Sequence, residues 1–294
     1  MKAFGAYHPV VLMTYFVSVL LFAMFAQNPV LQLSALLGGA LFCLMLQKKR
    51  EIAGNIGFYV PMFFLVAITN PLFSHNGVTP LFFLNGNPVT LEAFVYGGAI
   101  GVCVIGVMLW CKCYSEIMTA DKFLYLFARA VPKLSLVLSS ALRFIPLFKR
   151  RMKEVSRAQR AMGLYSSKSF VDRIKSTMRV FSAMISQSLE ASMETSASMH
   201  ARGYGTKKKR TSFSLFRFSA RDGFLLSLCA LLCLGTAFGI GFGCTDFYYY
   251  PEITHLEVTF GAVLTWSAYG ILTFLPFFIE LKEFLVWKYY ISKI

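Results

Sequence analysis

The sequence predicts an all-α, polytopic membrane protein with about six transmembrane helices and two long amphipathic helices outside the bilayer. The 294-residue chain is 56% hydrophobic and only 15% charged, whereas soluble domains average about 25% charged residues. Six apolar segments are each about long enough to cross a bilayer. One long polar insert combines helical periodicity with most of the positive charge. Together these three observations define the fold class.

The apolar segments set the predicted spans, because a hydrocarbon core of about 30 Å needs about 20 apolar helical residues. They are Val10–Ala26, Pro29–Leu46, Ile56–Phe73, Leu91–Cys111, Phe224–Phe242 and Val258–Phe278. The first segment follows Lys2 and could be taken for a secretory signal peptide. Its apolar core is longer than that of a signal peptide and its end is a poor cleavage site, so we interpret it as a retained membrane helix.

The distribution of charge predicts the orientation of these spans. Lys48, Lys49 and Arg50 lie between the second and third spans, and the positive-inside rule places them in the cytoplasm. Alternation then places both termini in the cytoplasm. The three links expected outside, near Gln27–Asn28, at Ser74–Thr90 and at Gly243–Glu257, contain no Lys or Arg.

Two of the outside links carry local signals. Ser74–Thr90 contains Asn85-Gly86-Asn87-Pro88 after a short apolar run, which predicts a tight turn between two arms. The run from Asp246 to Pro251 contains three consecutive tyrosines, and we expect it to form an aromatic belt at the headgroup level.

The predicted organisation has three parts: a transmembrane bundle of about four spans at 1–111, a basic cytoplasmic region at 112–222, and C-terminal transmembrane helices with a cytoplasmic tail at 223–294. The middle region holds 22 of the 29 basic residues but only seven of the 14 acidic ones. Pro132 and Pro146 are expected to divide its first half into separate helical pieces. A second helix is expected from about Ser169 to Ala201.

The second helix has an apolar stripe, because its large hydrophobic residues recur every three or four positions. These residues are Phe170, Ile174, Met178, Phe181, Ile185 and Leu189. Towards its end the run SLEASMETSASM is rich in small residues, which permits close approach of another helix.

Both helices are predicted to end in the same way. The first reaches Arg160-Ala161-Met162-Gly163 and the second reaches Ala201-Arg202-Gly203. A glycine after a helix supplies a left-handed cap, and a cation there favours the negative end of the helix dipole. Capping explains the glycines, but it does not explain why two long helices outside the bilayer share one ending.

Several functional classes lack their signatures. The seven cysteines lie in or beside apolar runs, where they act as small hydrophobes, and Cys111-Lys112-Cys113 lacks zinc-site spacing. The four histidines have no ligand spacing, so no metal site is predicted. We find no catalytic triad and no phosphate-binding loop, so the chain is not predicted to be an ATPase or another enzyme.

At these helix ends the chain resembles the transmembrane T component of energy-coupling factor (ECF) transporters, the family that includes the cobalt-type T proteins. The resemblance is carried by Ala201-Arg202-Gly203 and by two earlier runs, Arg143-Phe144-Ile145-Pro146 and Ala158-Gln159-Arg160. The family has two cytoplasmic coupling helices, each ending in Ala-Arg-Gly. Here Met162 replaces the first arginine, and Arg160 lies about 200° around the helix from it.

The resemblance implies a non-catalytic subunit of an ATP-driven importer in a prokaryotic cell membrane. Its partners would be two ATP-binding-cassette (ABC) ATPases, which use ATP and Mg, and one small substrate-binding membrane protein, the S component. The chain itself would bind no cofactor. The residues implied for ATPase coupling are Ala201, Arg202 and Gly203 with Arg160, Ala161, Met162 and Gly163. Those implied as a platform for the S component are Phe170, Ile174, Met178, Phe181 and Ile185.

Other interpretations stay open at this stage. The platform residues could instead pack against the chain's own spans. A stand-alone transporter or channel would need ionisable residues inside its spans, and the predicted spans have hardly any. Lys207 to Arg210 are expected at the inner headgroups, with no role in nucleic-acid binding. The substrate, a vitamin or a metal ion, cannot be identified from this chain, nor can the identity of the two ATPases.

Overall fold

The computed structural model describes residues 3–47, 49–74, 76–84, 87–163, 170–206 and 216–292. Within these residues the chain forms nine α-helices and one two-stranded hairpin. In chain order the elements are α1 (Pro9–Phe25), α2 (Pro29–Leu46), α3 (Lys49–Phe73), β1 (Pro80–Leu84), β2 (Asn87–Thr90), α4 (Leu91–Ile117), α5 (Ala120–Ala130), α6 (Pro132–Ala161), α7 (Phe170–Ala201), α8 (Ala220–Gly241) and α9 (Phe260–Ile291). The all-α polytopic fold class is confirmed.

Five helices in the described residues are long and apolar enough to cross a membrane: α2, α3, α4, α8 and α9. The remaining predicted span, the first in the chain, is α1. It is an apolar helix of 17 residues, which is the lower limit of about 17 residues for a transmembrane helix. The bounds of α2 match the prediction. By contrast, α4 continues past Cys111 to Ile117, and α9 continues past Phe278 to Ile291. In both cases the helix continues beyond the end of the predicted apolar segment, because no helix-breaking residue stops it there.

The described chain divides into two compact units, one made of residues 1–123 and 216–294 and the other of residues 124–215. In the first unit α4 packs against α1, α2 and α3, while α9 packs against α2 and α8. The second unit contains α6 and α7, which pack against each other.

The core of the first unit is a cluster of aromatic rings around Trp110. Trp110 is fully buried, its Nε1 donates to the Ala35 carbonyl at 2.9 Å, and its ring contacts those of Tyr15, Phe16 and Phe42. Aromatic pairs of this kind add about 0.5–1.5 kcal/mol each beyond the area they bury. The cluster therefore joins α1, α2 and α4 at one level of the bundle.

Two buried carboxylates hold the N-terminal segment of the first unit. The Phe4 amide donates to Glu280 Oε1 at 3.1 Å, and the His8 amide donates to Asp222 Oδ1 at 2.9 Å. Asp222 also completes a capping box with Ser219 at the start of α8. Each carboxylate accepts from a backbone N–H, so its buried charge is compensated.

The predicted hairpin is present, since β1 and β2 pair antiparallel; its Asn85-Gly86 turn lies outside the described residues. The predicted aromatic belt stays a prediction; within the first unit Phe247 and Tyr249 are buried while Tyr248 is exposed. The Tyr249 hydroxyl donates to the Gln27 carbonyl at 3.3 Å. Burial, with a smaller contribution from Tyr96, raises the pKa of Tyr249 to about 12, so this phenol keeps its proton.

The prediction that Pro146 would separate two helical pieces was wrong. Helix α6 starts at Pro132, where proline is favoured, and then runs through Pro146 to Ala161. A proline inside a helix removes one hydrogen bond, here the one to the carbonyl of Leu142. The turns on both sides of Pro146 nevertheless remain helical.

Glycines on α4 allow α3 to approach it closely. A Cβ added at Gly97 would lie 2.6 Å from the Ala67 carbonyl oxygen, and one at Gly101 would lie 2.8 Å from the Phe63 ring. We therefore expect Gly97→Leu to destabilise the first unit by about 1–3 kcal/mol through overpacking. A lowered thermal unfolding midpoint of the purified protein would show this.

The neighbouring Gly98 is the matched control, because a Cβ added there meets nothing within 4 Å. We expect Gly98→Leu to leave the midpoint unchanged or to raise it slightly, since leucine favours a helix more than glycine does. Equal destabilisation by the two substitutions would contradict close packing of α3 on Gly97.

Candidate interaction surface on α6 and α7

Helices α6 and α7 form an antiparallel pair. The early part of α6, at Leu136 and Phe144, lines one depression together with the late part of α7, at Ser192 and His200. A second depression joins later residues of α6 to earlier residues of α7, including Glu154 and Glu190. The C-terminal ends of the two helices therefore lie at opposite ends of the pair.

The face of α7 that is least exposed repeats every three or four residues and includes Ser176, Val180 and Met184. Small residues continue it towards the C-terminus, as the sequence predicted for close helix approach. The Ser188 hydroxyl donates to the Met184 carbonyl at 2.6 Å, and the Thr195 hydroxyl donates to the Ala191 carbonyl at 2.7 Å. These hydroxyls are satisfied within the helix, so the contact with α6 needs no polar partner for them.

A different face of α7 exposes large apolar side chains. We call this set the α7 stripe, and it comprises Phe170, Ile174, Met178, Phe181, Ile185 and Leu189, all of them exposed. Phe170 is 76% exposed and Met178 61%. Large apolar side chains in one row on a protein surface mark an interaction site. The five predicted platform residues belong to this stripe, but their proposed partner stays a prediction.

Helix α6 also exposes apolar residues, which the sequence reasoning did not place in the candidate site. Leu134, Val137 and Ile145 are each at least half exposed. Their apolarity was visible in the sequence, but an apolar stripe ordinarily predicts a buried face. Only the structure distinguishes an exposed stripe from a packed one.

The end of α7 is a complete Schellman motif. The Gly203 amide donates to the His200 carbonyl at 2.9 Å, and the Tyr204 amide donates to the Met199 carbonyl at 3.0 Å. Gly203 has φ +77°, in the left-handed region that favours glycine. Arg202 is the exposed residue at the cap position. Among the described residues its guanidinium has no hydrogen-bond or ion-pair partner.

The described part of the α6 end matches the α7 end, with methionine at the cap. Gly163 has φ +83°, and its amide donates to the Arg160 carbonyl at 3.0 Å. Met162 is 68% exposed and occupies the position that Arg202 occupies on α7. Arg160 therefore corresponds to His200 and not to Arg202. Ala161 and Ala201 are the last residues of the two helices.

A row of cations precedes Met162 on α6. Lys149, Lys153, Arg157 and Arg160 recur at helical spacing and line one shallow depression. The positive charge of this segment was predicted, but its alignment on one face of α6 was not. This row makes the end of α6 electropositive although the cap residue is neutral.

The two capped ends are well separated. Phe144 and Ser192 line the same depression, and from there the two helices run in opposite directions to Met162 and Arg202. At about 1.5 Å per residue the ends lie up to about 40 Å apart along the pair.

The described residues also contain no group of three or more His, Cys, Asp or Glu placed to hold a metal ion. The basic run Lys207–Arg210 lies outside the described residues.

A protein-family model described as "Cobalt transport protein" (CbiQ) matches residues 7–213, which is more than half of the chain. The chain belongs to this family. The matched region contains α1 to α7 and both helix ends, so it includes the motifs that predicted the relationship.

Three curated relatives carry the name "Energy-coupling factor transporter transmembrane protein EcfT". The chain is 34% identical to the Listeria innocua protein over 103 residues, which are 35% of this chain and 39% of that one. It is 27% identical to the Staphylococcus aureus protein over 181 residues, 57% of this chain and 68% of that one. For the Lacticaseibacillus paracasei protein the identity is 31% over 109 residues, 35% and 41% of the two chains. These family members confirm the resemblance that the sequence carried.

Proposed function

We propose that this chain is the T component of an energy-coupling factor transporter, a membrane subunit that couples ABC ATPases to a separate substrate-binding protein. The observation that carries the proposal is the pair of equivalent helix ends at opposite ends of α6 and α7, one of which presents Arg202 without a partner among the described residues. The EcfT name of the relatives supports it. The chain contributes no catalytic residue in this proposal.

In this function each helix end binds one of two ATPase subunits beneath the membrane. Arg202 pairs with a carboxylate in its ATPase, because guanidinium and carboxylate form two parallel hydrogen bonds. The Schellman motif fixes the direction of the last turn of α7, so little conformational freedom is lost on docking. ATP and Mg belong to the ATPases and not to this chain.

The α7 stripe, with the exposed apolar residues of α6, provides the platform for the S component. An apolar surface suits a partner that is itself a membrane protein. When the ATPases close on ATP, the two helix ends move with them, and the platform shifts beneath the S component. The vitamin or metal ion is bound by the S component.

In the proposed orientation both termini and the α6–α7 unit are cytoplasmic, and the host membrane is a prokaryotic cell membrane. The supporting observation is the absence of Lys and Arg from the three links assigned to the outside. A cysteine-accessibility experiment at Tyr248, an exposed residue of one of these links, tests the orientation. A Tyr248→Cys variant should react with an impermeant maleimide in intact cells.

Co-purification tests the proposed function. The tagged full-length chain, extracted from its native membrane in a mild detergent, should retain ABC ATPase subunits with phosphate-binding loops and a small apolar membrane protein. The reconstituted complex should take up substrate only with ATP. A chain that purifies alone and transports a substrate by itself would instead support the stand-alone transporter.

Met162 gives a prediction specific to this chain. If the end of α6 docks through an apolar contact supported by the cation row, Met162→Leu should preserve ATPase retention. Met162→Glu should reduce retention about tenfold, because a charged carboxylate then replaces an apolar side chain in the interface and offsets part of the positive charge of the cation row. Quantitative pull-down of ATPase subunits per tagged chain measures both. Equal retention by the two variants would show that position 162 lies outside the interface.

A further inference from the structure

An apolar groove opens between α2 and α3, on the surface of α4. Close to the outside link, Gly97 and Gly101 bring α3 against α4. Towards the other end α3 is packed less closely, since a Cβ added at Gly54 or Gly57 would meet nothing within 4 Å, and its side-chain hydrogen bonds to neighbouring helices there come from Asn55. The groove has a volume of about 500 Å³, within the range of about 300–1,000 Å³ of small-molecule sites.

The length of the groove matches one leaflet of a bilayer. On α3 its lining runs from Ile52 to Phe64, which is about 18 Å of helix. On α2 it runs from Leu36 to Gln47, about 16 Å. Half of a hydrocarbon core of about 30 Å is about 15 Å. Apart from Gln47 and Asn55, the walls of the groove are almost wholly aliphatic and aromatic. The groove therefore suits one acyl chain.

The end of the groove is closed by three polar side chains, one from each helix. Asn55 Nδ2 donates to Gln47 Oε1 at 2.6 Å, and Lys112 Nζ donates to Asn55 Oδ1. Lysine can only donate, so it fixes the orientation of the Asn55 amide, and this in turn fixes that of Gln47. We call these residues the polar rim.

Some hydrogen-bond donors of the polar rim are not used in this chain of hydrogen bonds. Both amide oxygens are occupied, whereas Gln47 Nε2 and two hydrogens of the Lys112 ammonium have no partner among the described residues. Lys112 also makes no ion pair there. A rim of donors with net positive charge fits a group that only accepts hydrogen bonds and is negative, as a phosphodiester is.

We propose that this groove binds an anionic phospholipid, with one acyl chain between α2 and α3 and the phosphate held by Lys112, Asn55 and Gln47. Leaflets rich in anionic lipid attract basic residues near the membrane surface. The bound lipid fills the space between α2 and α3 and supports the part of α3 that is little buried against the bundle. The inference requires only that these helices cross a membrane, and it is independent of the ATPase partners.

Native mass spectrometry of the full-length chain in detergent tests the proposal, with dioleoyl phosphatidylglycerol or dioleoyl phosphatidylcholine as the added lipid. We expect wild type to retain one phosphatidylglycerol in preference to phosphatidylcholine. Lys112→Gln should weaken phosphatidylglycerol binding about fivefold, the effect of one cation beside an anionic lipid, and weaken phosphatidylcholine binding less, because the choline cation offsets the charge of its phosphate. Glycerol phosphate at the same concentration should not displace the lipid, which separates lipid from free phosphate.

Two controls keep the test decisive. Lys282→Gln removes an exposed cation from α9, and it should bind as wild type does. Val60→Trp should fill the groove and lower binding of both lipids. Val263→Trp, at a residue of similar exposure on α9 (46% against 48% for Val60), should not. The thermal unfolding midpoint of each variant verifies folding.

Three outcomes would overturn the proposal. The first is equal binding of the two lipids by wild type. The second is an equal effect of Lys112→Gln and Lys282→Gln. The third is a groove that retains no lipid and in which a Val60→Cys variant cross-links in cells to a membrane protein, because the occupant is then a protein.

Discussion

Replacing Arg202 by glutamate is expected to abolish retention of one ATPase and, with it, ATP-driven uptake. The guanidinium is exposed and has no partner among the described residues, so the substitution breaks no internal contact of that side chain. In the proposed complex it would remove a bidentate ion pair and place two carboxylates together. Loss of one partner of a buried charge pair costs about 2–5 kcal/mol, about 30-fold or more in affinity. Pull-down of ATPase subunits per tagged chain measures the loss.

Two matched variants separate docking from general damage. Arg202→Lys keeps the charge but not the planar fork, so we expect an intermediate loss. Arg179→Glu makes the same change at another exposed position of α7, and ATPase retention should stay at the wild-type level. If Arg202→Glu and Arg179→Glu behave alike, the end of α7 has no special role in docking.

The second large effect is expected on the α7 stripe. The double substitution Ile174→Glu and Phe181→Glu places two charges on an exposed apolar surface. Binding an apolar partner would then require burial of both carboxylates without partners, which is strongly unfavourable. We expect loss of the S component from the purified complex, while the ATPases are retained because both helix ends are unchanged. Separate quantification of the two kinds of subunit measures this split.

The control for this variant adds the same charge to another face of α7. Ser186 and Ala197 are exposed and lie off the stripe, so Ser186→Glu with Ala197→Glu should retain both kinds of subunit. Loss of the ATPases together with the S component in the stripe variant would indicate unfolding of the α6–α7 unit. Retention of the S component would contradict the platform.

The membrane part of the fold was predictable because spanning segments must be both apolar and long. The bounds of α2 were predicted correctly, since Asn28 and Pro29 begin the helix and Gln47 follows its last apolar residue. The end of α9 was not, because Glu280 and Lys282 end the hydropathy signal while no proline or glycine ends the helix. The effect of Pro146 was also predicted wrongly. It was expected to end a helix, but α6 continues through it and loses only one hydrogen bond.

Part of the candidate site could also be predicted from the sequence. Glycine at a helix end requires a specific backbone geometry, so Gly163 and Gly203 predicted the caps. The structure adds that Met162 and Arg202 are equivalent in position. Burial depends on which faces find partners, and a single sequence does not carry this information. The exposure of the apolar residues of α6 and the groove at Lys112 therefore emerged only from the structure.

Site-specific photocross-linking tests the central claim most directly, that the two capped ends of α6 and α7 each bind an ATPase. A benzophenone amino acid placed at position 162, 202 or 186 in the native complex would be irradiated, and the cross-linked partners identified by mass spectrometry. The account predicts cross-links from positions 162 and 202 to ABC ATPase subunits and none from position 186. Cross-links from positions 162 and 202 to lipid alone, or to no ATPase, would contradict it.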